Sequence, residues 1–247
     1  MTDSAGTPWA GRHFEHNASS DDDGSAPTIL VEALAAFRLG DTGEAAVVDA
    51  VRESRLLVPL VARLDEAGVS EHGHVVDKSA ELAIVTVTGP DGRNVLPVFS
   101  SVDAMRRWDA KARPVPADAV RVALAAASES TDLVVLDPGS ETEFVIRRPA
   151  LWAIGRSRSW TPSYLDEEVI AAFGPVIDPR VVAVTIAPGD PHGRLAGPEL
   201  LVQLALVPGL DRTELDGLLA ELQAQWAADE IIAARVDSLG VALVTAP

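Results

Sequence analysis

Apolar positions recur first at helical and then at strand spacing. After a polar start, Leu30, Leu34 and Phe37 fall on one face of a predicted helix, and Val47, Val48 and Val51 on one face of a second. Asp41 and Glu44 stand three apart ahead of that second run, the spacing of a capping box. The period then changes in LLVPLVA (56–62), a strand whose Pro59 predicts an edge or a bulge, because proline brings no N–H to a ladder. Residues 63–80 read as a polar loop. In ELAIVTVTGPDGRNVLPVFS (81–100) two β-branched runs flank Gly89-Pro90-Asp91-Gly92, which predicts an antiparallel hairpin.

Ser100 or Ser101 is placed to cap a helix that turns Val102, Met105 and Trp108 inward. A helix over 119–127, a strand over 132–136, a turn at Pro138-Gly139 and a strand over 144–148 follow, and Pro149 opens a short helix. Polar, aperiodic residues 155–163 mark a boundary. Beyond it the pattern predicts a helix near 164–173, strands at 181–187 and 199–207, and a helix from Asp211 with Leu215, Leu218, Leu219, Leu222 and Trp226 inward. Asp211 and Glu214 form a second capping-box pattern; 231–236 fits helix or strand, and 240–246 is a last strand. The expected fold class is α/β of the α+β kind, two small domains, each a mixed or antiparallel sheet packed with helices. The expected division is a polar tail at 1–27, a domain at 28–156, a linker at 157–163 and a domain at 164–247.

The length of 247 residues suits one large or two small domains. The absence of cysteine excludes disulfides, thiolate nucleophiles, iron–sulfur clusters and cysteine-ligated zinc. No apolar run approaches the roughly 18 residues of a membrane span, and the N-terminal residues have neither the basic start nor the apolar centre of a signal peptide. A cytoplasmic location away from membranes is expected, which also sets aside the sequon Asn17-Ala18-Ser19. The net charge of −17 opposes binding to DNA, RNA or anionic lipid, each of which draws affinity from clustered cations. Residues 1–27 are too polar to offset the entropy of ordering, yet hold Trp9 and Phe14, so packing along a domain and meeting a partner both stand.

Chemical motifs are missing. The chain has no Gly-Lys-Ser/Thr loop, and Gly189, Gly193 and Gly197 lie in a loop between strands instead of opening a helix. GRSRS (155–159) lacks the second glycine of a nucleophile elbow, and neither Lys78 nor Lys111 follows a serine by three. The histidines, His13, His16, His72, His74 and His192, all fall in tail or loop; His72-Gly73-His74 has only Asp77 beside it, short of a metal's ligand number. The run 21–24 (DDDG) mimics a calcium loop but has Leu30 where a bidentate Glu is needed. Asp65-Glu66 and Asp166-Glu167-Glu168 are adjacent and so diverge on a regular element. No catalytic residue, metal site or cofactor is predicted.

One segment opposes the global charge. Arg147, Arg148, Arg156 and Arg158 fall within twelve residues free of acid, with Trp152 among them and Trp160 just beyond. Arginine with tryptophan binds phosphate, stacks on a base or anchors a protein interface. The other reading is a hinge pairing with the acidic stretch 161–247, which holds thirteen Asp/Glu and four Arg; close acidic partners favour it.

LPVFSSVDAMRRW (96–108) and DLVVLDPGSETEFVI (132–146), with the upstream strand LLVPLV (56–61), resemble the SseB family, named for enhanced serine sensitivity. That family ends its later strand in Asn-Pro-Gly; here Asp137-Pro138-Gly139 departs from it. The stretch from VVAVTIAP (181–188) to GVALVTA (240–246) resembles the family's C-terminal domain. The resemblance implies a bacterial α/β protein of two small domains with undefined activity, and it supplies no catalytic residues. It also brings Phe99, Ser100 and Trp108 to one candidate binding surface with Asp137, Pro138 and Gly139, although core, cap and turn roles account for the same residues. The expected function is that of a non-enzymatic protein-binding adaptor with an unidentified protein partner, using these residues and Arg147, Arg148, Trp152, Arg156 and Arg158. The alternative is a small-molecule-binding regulator or enzyme affecting serine metabolism, with a pocket at 99–108 and 137–140; nucleic acid is the least favoured partner.

Overall fold

The computed structural model describes residues 22–63, 81–84, 86–129, 131, 133–174, 176 and 178–244. Trp9, Phe14, His13, His16, His72, His74, Asp65, Glu66 and Asp77 lie outside the described residues, as does most of the loop read at 63–80.

Helix α1 (Thr28–Leu39) buries Leu30 and Leu34 and ends at Gly40, whose φ of 78° lets the chain reverse while the Gly40 and Asp41 amides close on Phe37 O and Ala36 O. Helix α2 (Glu44–Arg52) buries Val47, Val48 and Val51. The capping box expected at Asp41 does not form: the helix begins at Glu44 itself, behind an extended Gly43 with no side-chain cap. The Glu44 carboxyl is turned inward instead, toward Glu199 and Arg147.

Strand β1 (Arg55–Arg63) is the middle of a three-stranded antiparallel sheet, between β2 (Glu81–Ile84) and β5 (Arg113–Asp118). The edge expected from Pro59 is therefore half right. Pairing with β2 starts only at Leu60, and across the sheet Pro59 faces Pro114, where neither residue has an N–H to donate. The expected hairpin also splits. Glu81–Ile84 goes to β1, and only β3 (Val87–Thr88) folds back on β4 (Asn94–Val98), around a turn with Gly92 at φ 82°.

The second sheet has the order β3-β4-β6-β7, with β6 (Leu133–Leu136) parallel to β4 and antiparallel to β7 (Phe144–Ile146). Helix α3 (Val102–Trp108) links β4 to β5 and is capped by Ser101, whose side chain accepts from the Ala104 amide. Helices α4 (Ala119–Ser128) and α5 (Arg148–Gly155) join α1 and α2 over one face of this sheet, against Leu96, Val98, Val134, Leu136, Phe144 and Ile146. The opposite residues, Val95, Leu133, Val135 and Val145, are also buried, against Leu195. A sheet covered on both faces explains the unbroken apolar run in β6.

After a 3-10 turn at Ser163–Leu165, α6 (Glu167–Phe173) leads to the third sheet, in which β9 (Leu200–Leu206) lies between β8 (Val181–Pro188), antiparallel, and β10 (Leu239–Val244), parallel. Helix α7 (Arg212–Ala228) has the expected capping box, Asp211 accepting from the Glu214 amide and Glu214 from that of Asp211. Its Leu218, Leu222 and Trp226 pack on the sheet, and 231–236 resolves into helix α8 (Glu230–Arg235). The fold is α+β, its sheets antiparallel or mixed and packed with helices. Among the described residues no helix is long and apolar enough to cross a membrane.

Candidate functional site

The first group of candidate residues converges, as the strand ends predict, and its polar atoms are paired with one another. Asp137 sits at the end of β6 with φ 47° and 1% exposure. Its carboxylate accepts from the Ser100 amide (2.8 Å), the Ser100 hydroxyl (2.6 Å) and the Thr142 hydroxyl (2.9 Å). Phe99 is fully buried and bridges to Leu57 in β1, while Trp108 packs on its ring at 5.3 Å. The turn continues through half-buried Pro138 to exposed Gly139, whose amide donates to Glu143. Asp137 thus ties two parallel strand ends together.

The arginine segment divides into two pairs. Arg147 is 7% exposed; Nη2 donates to Asp190 (2.8 Å) and to Gly197 O, and Nη1 to Asp237 (3.3 Å) and Ser238. Asp237 also receives both of its oxygens' contacts from Arg93 at 3.0 Å, so two guanidiniums from the N-terminal half surround one C-terminal carboxylate. Arg148 donates from Nη2 to Ala233 O and Val236 O at the end of α8, which takes up two otherwise orphaned carbonyls. The hinge reading accounts for this pair.

The β8–β9 loop completes the junction. Asp190 accepts from the Arg194 and Leu195 amides, which bends the loop so that Leu195, at φ 57° and 6% exposed, enters the open face of the β3-β4-β6-β7 sheet. Gly193 O accepts from the Val145 amide at 2.8 Å, and Arg38 donates to His192 O. Two carboxyls face this junction, half-buried Glu44 and, at the base of the loop, buried Glu199. Burial pushes Glu44 up to about 7, with the Glu199 charge adding to the shift and Arg147 opposing it. Burial also raises Glu199, against the Asp237 amide that donates to it, and burial, with the charges of the two carboxyls adding to it, pushes Tyr164 up to about 12.

The second pair behaves differently. Arg156 and Arg158 are exposed and form no ion pair among the described residues. Helix α5 ends in a Schellman turn, with Ser157 N donating to Ile154 O and Arg158 N to Ala153 O. Ser157 fills the left-handed position (φ 54°) where glycine is usual, and the turn sets Arg156 and Arg158 on either side of it. Trp152 is 39% exposed, with the guanidinium of Arg148 at 5.0 Å and that of Arg156 at 5.9 Å from its ring centre. Trp152, Arg156, Arg158 and half-buried Trp160 line a cleft of about 400 Å³, closed from the C-terminal side by Asp166, Ala234 and Arg235. Arg235 is itself paired with Asp166 and Glu168.

Periodicity does not mark Arg93, Asp190, Leu195, Glu199 or Asp237 as junction residues, and it assigns Glu44 to a helix cap. The contacts that bring them to the junction reach across up to 144 residues.

The fold is α+β, its N- and C-terminal halves are joined by buried ion pairs, and an arginine–tryptophan cleft lies across the join. The SseB protein N-terminal domain matches residues 30–153, half of the chain, and the chain belongs to the SseB family. No curated protein and no solved structure matches it.

Proposed function

We propose that the chain is a non-enzymatic, cytoplasmic protein-binding adaptor of bacterial type, built of units 28–156 and 164–247 around the linker 157–163, and that it docks a protein partner in the cleft of Trp152, Arg156, Arg158 and Trp160. One observation carries the proposal: of the four arginines in the segment, two are consumed by the junction, while Arg156 and Arg158 stand exposed beside an exposed tryptophan. Arginine and tryptophan are the residues that most often dominate interface energies, the first through bidentate bonds and the second through area at low entropic cost. In a chain of net charge −17, two cations without an ion pair among the described residues also favour an acidic partner surface. Arg147 and Arg148, together with the node of Phe99, Ser100, Trp108 and Asp137, hold the scaffold in this proposal.

The test is capture by tagged protein from its own cell lysate, compared with the variant R156E/R158E. Partners are expected to be retained by the first and lost from the second with an unchanged melting temperature. Equal capture by both, or turnover of a metabolite by the purified protein, contradicts the proposal.

A further inference from the structure

The edge of a sheet is a template for a further strand unless something blocks it, and the usual blocks are proline, a bulge, a charge or a short length. Several edges of this molecule carry one. Strand β5 holds Pro114 and Pro116, β8 has a register shift between Val181 and Ala183 and ends in Pro188, β3 is two residues long, and the Val145 amide of β7 is taken by Gly193 O. Strand β10, LGVALV over 239–244, has no charge, no proline and no register shift, and among the described residues it pairs on one side only, with β9.

The register shows which groups this strand leaves over. The Leu200 amide donates to Ser238 O, so in the parallel ladder Ser238, Gly240, Ala242 and Val244 turn their backbone groups to β9. Leu239, Val241 and Leu243 turn theirs to the open edge, where no N–H or C=O of the three has a partner among the described residues. Their side chains share the face that α7 and α8 cover, and Leu239 and Val241 pack there. Leu243 is 52% exposed. At the other end of the strand a cavity of about 300 Å³ opens beside Leu239, with Ala227, Ile232 and Val236 as apolar walls. One end of the edge thus carries an exposed leucine and the other an apolar recess.

We propose that β10 pairs antiparallel with β10 of a second copy of the chain, about a two-fold axis at Val241, so that two three-stranded sheets become one of six strands. This arrangement sets Leu243 of each copy opposite Leu239 of the other, at the mouth of the recess, and Val241 opposite Val241. The residues whose backbone groups face the edge then form the hydrogen-bonded pairs, each exchanging two bonds. A two-fold axis needs one surface that is its own complement, and an exposed leucine at one end with a recess at the other provides it. In a chain of net charge −17 most surfaces repel their own copy, whereas this strand has no charge to repel. None of the paired residues lines the arginine–tryptophan cleft, and the pairing does not rest on the docking proposed there.

The test is sedimentation equilibrium of the full chain. Twice the chain's mass is expected above a Kd of about 10 μM, a weak association because one strand pair buries little beside a standard interface. Leu243→Lys changes an exposed position, puts an ammonium at the other copy's recess, and is expected to weaken the dimer at least about tenfold with an unchanged circular dichroism spectrum. The absence of cysteine allows a test of register. In Val241→Cys each thiol faces its own counterpart, whereas in Leu243→Cys the two thiols lie about 14 Å apart, beyond the reach of a disulfide. Mild oxidation is expected to crosslink the first and not the second, the reverse of what random collision gives, since position 243 is the more exposed. A single chain's mass up to about 200 μM, a Leu243→Lys dimer as tight as the parent's, or Leu243→Cys crosslinking at least as fast as Val241→Cys each overturns the proposal.

Discussion

Asp137 shows how one side chain can do structural work that its sequence context only hints at. The position has φ 47°, a conformation that Asn and Asp tolerate better than other residues with a side chain, and the family pattern has Asn where this chain has Asp. The carboxylate is fully used by Ser100 and Thr142. Asn keeps the oxygen that accepts from the Ser100 amide and gives a donor that a rotated hydroxyl can accept. Asp137→Asn is therefore expected to cost under about 1 kcal/mol, and Asp137→Ala, which orphans three donors, about 2–4 kcal/mol, both read from urea unfolding. Glu44 gives a pH test. Its carboxyl, facing Glu199, Arg147, Asp190 and Tyr164, is raised from 4.5 to about 7 in the folded chain. The fold thus prefers the protonated form, and the stability that this preference adds is complete below about 4.5 and lost as pH rises through 7. Glu44→Gln is expected to stabilise the protein at pH 8 by about 1–3 kcal/mol and to leave it little changed near pH 4.5. A melting temperature equal to that of the parent chain at pH 8 counts against the buried position of this carboxyl.

Elements were legible where one period ruled. Helices α1, α4 and α7 and strands β4, β6, β8 and β9 follow their apolar spacing, because each buries one face or is buried throughout. Strand β5 did not show in the sequence: Pro114 and Pro116 break its pattern, and the strand survives as an edge whose missing donors have no neighbour to serve. The β8–β9 loop was legible as a loop but not as a plug. Leu195 stands in a glycine-rich stretch without periodicity, and what it fills, the face of Val95, Leu133, Val135 and Val145, comes from residues 50 and more positions earlier in the chain. Leu195→Ala is expected to lower stability by about 2–4 kcal/mol through the cavity it leaves, seen as a lower urea midpoint with an unchanged m-value. A change under about 0.5 kcal/mol contradicts the plug.

At the scale of the whole molecule the acidic total hides a division of labour among arginines. Arg93, Arg147 and Arg148 face inward and fasten the C-terminal half to the N-terminal half, while Arg156 and Arg158 face out across the same seam. The sequence marked the segment by its lack of acids; it did not separate the two pairs, because the partners of the first, two acids for Arg147 and two backbone carbonyls for Arg148, lie 43 to 90 residues away. The cleft draws residues from both halves, so the junction pre-organises it, which in the proposed docking leaves a partner little ordering cost. The most direct measurement places a benzophenone photocrosslinking side chain at exposed Ser159, which lines the cleft, and irradiates living cells. The account predicts a covalent adduct with another polypeptide that disappears in R156E/R158E. No adduct, or one that survives the charge reversal, contradicts a docking role for the cleft.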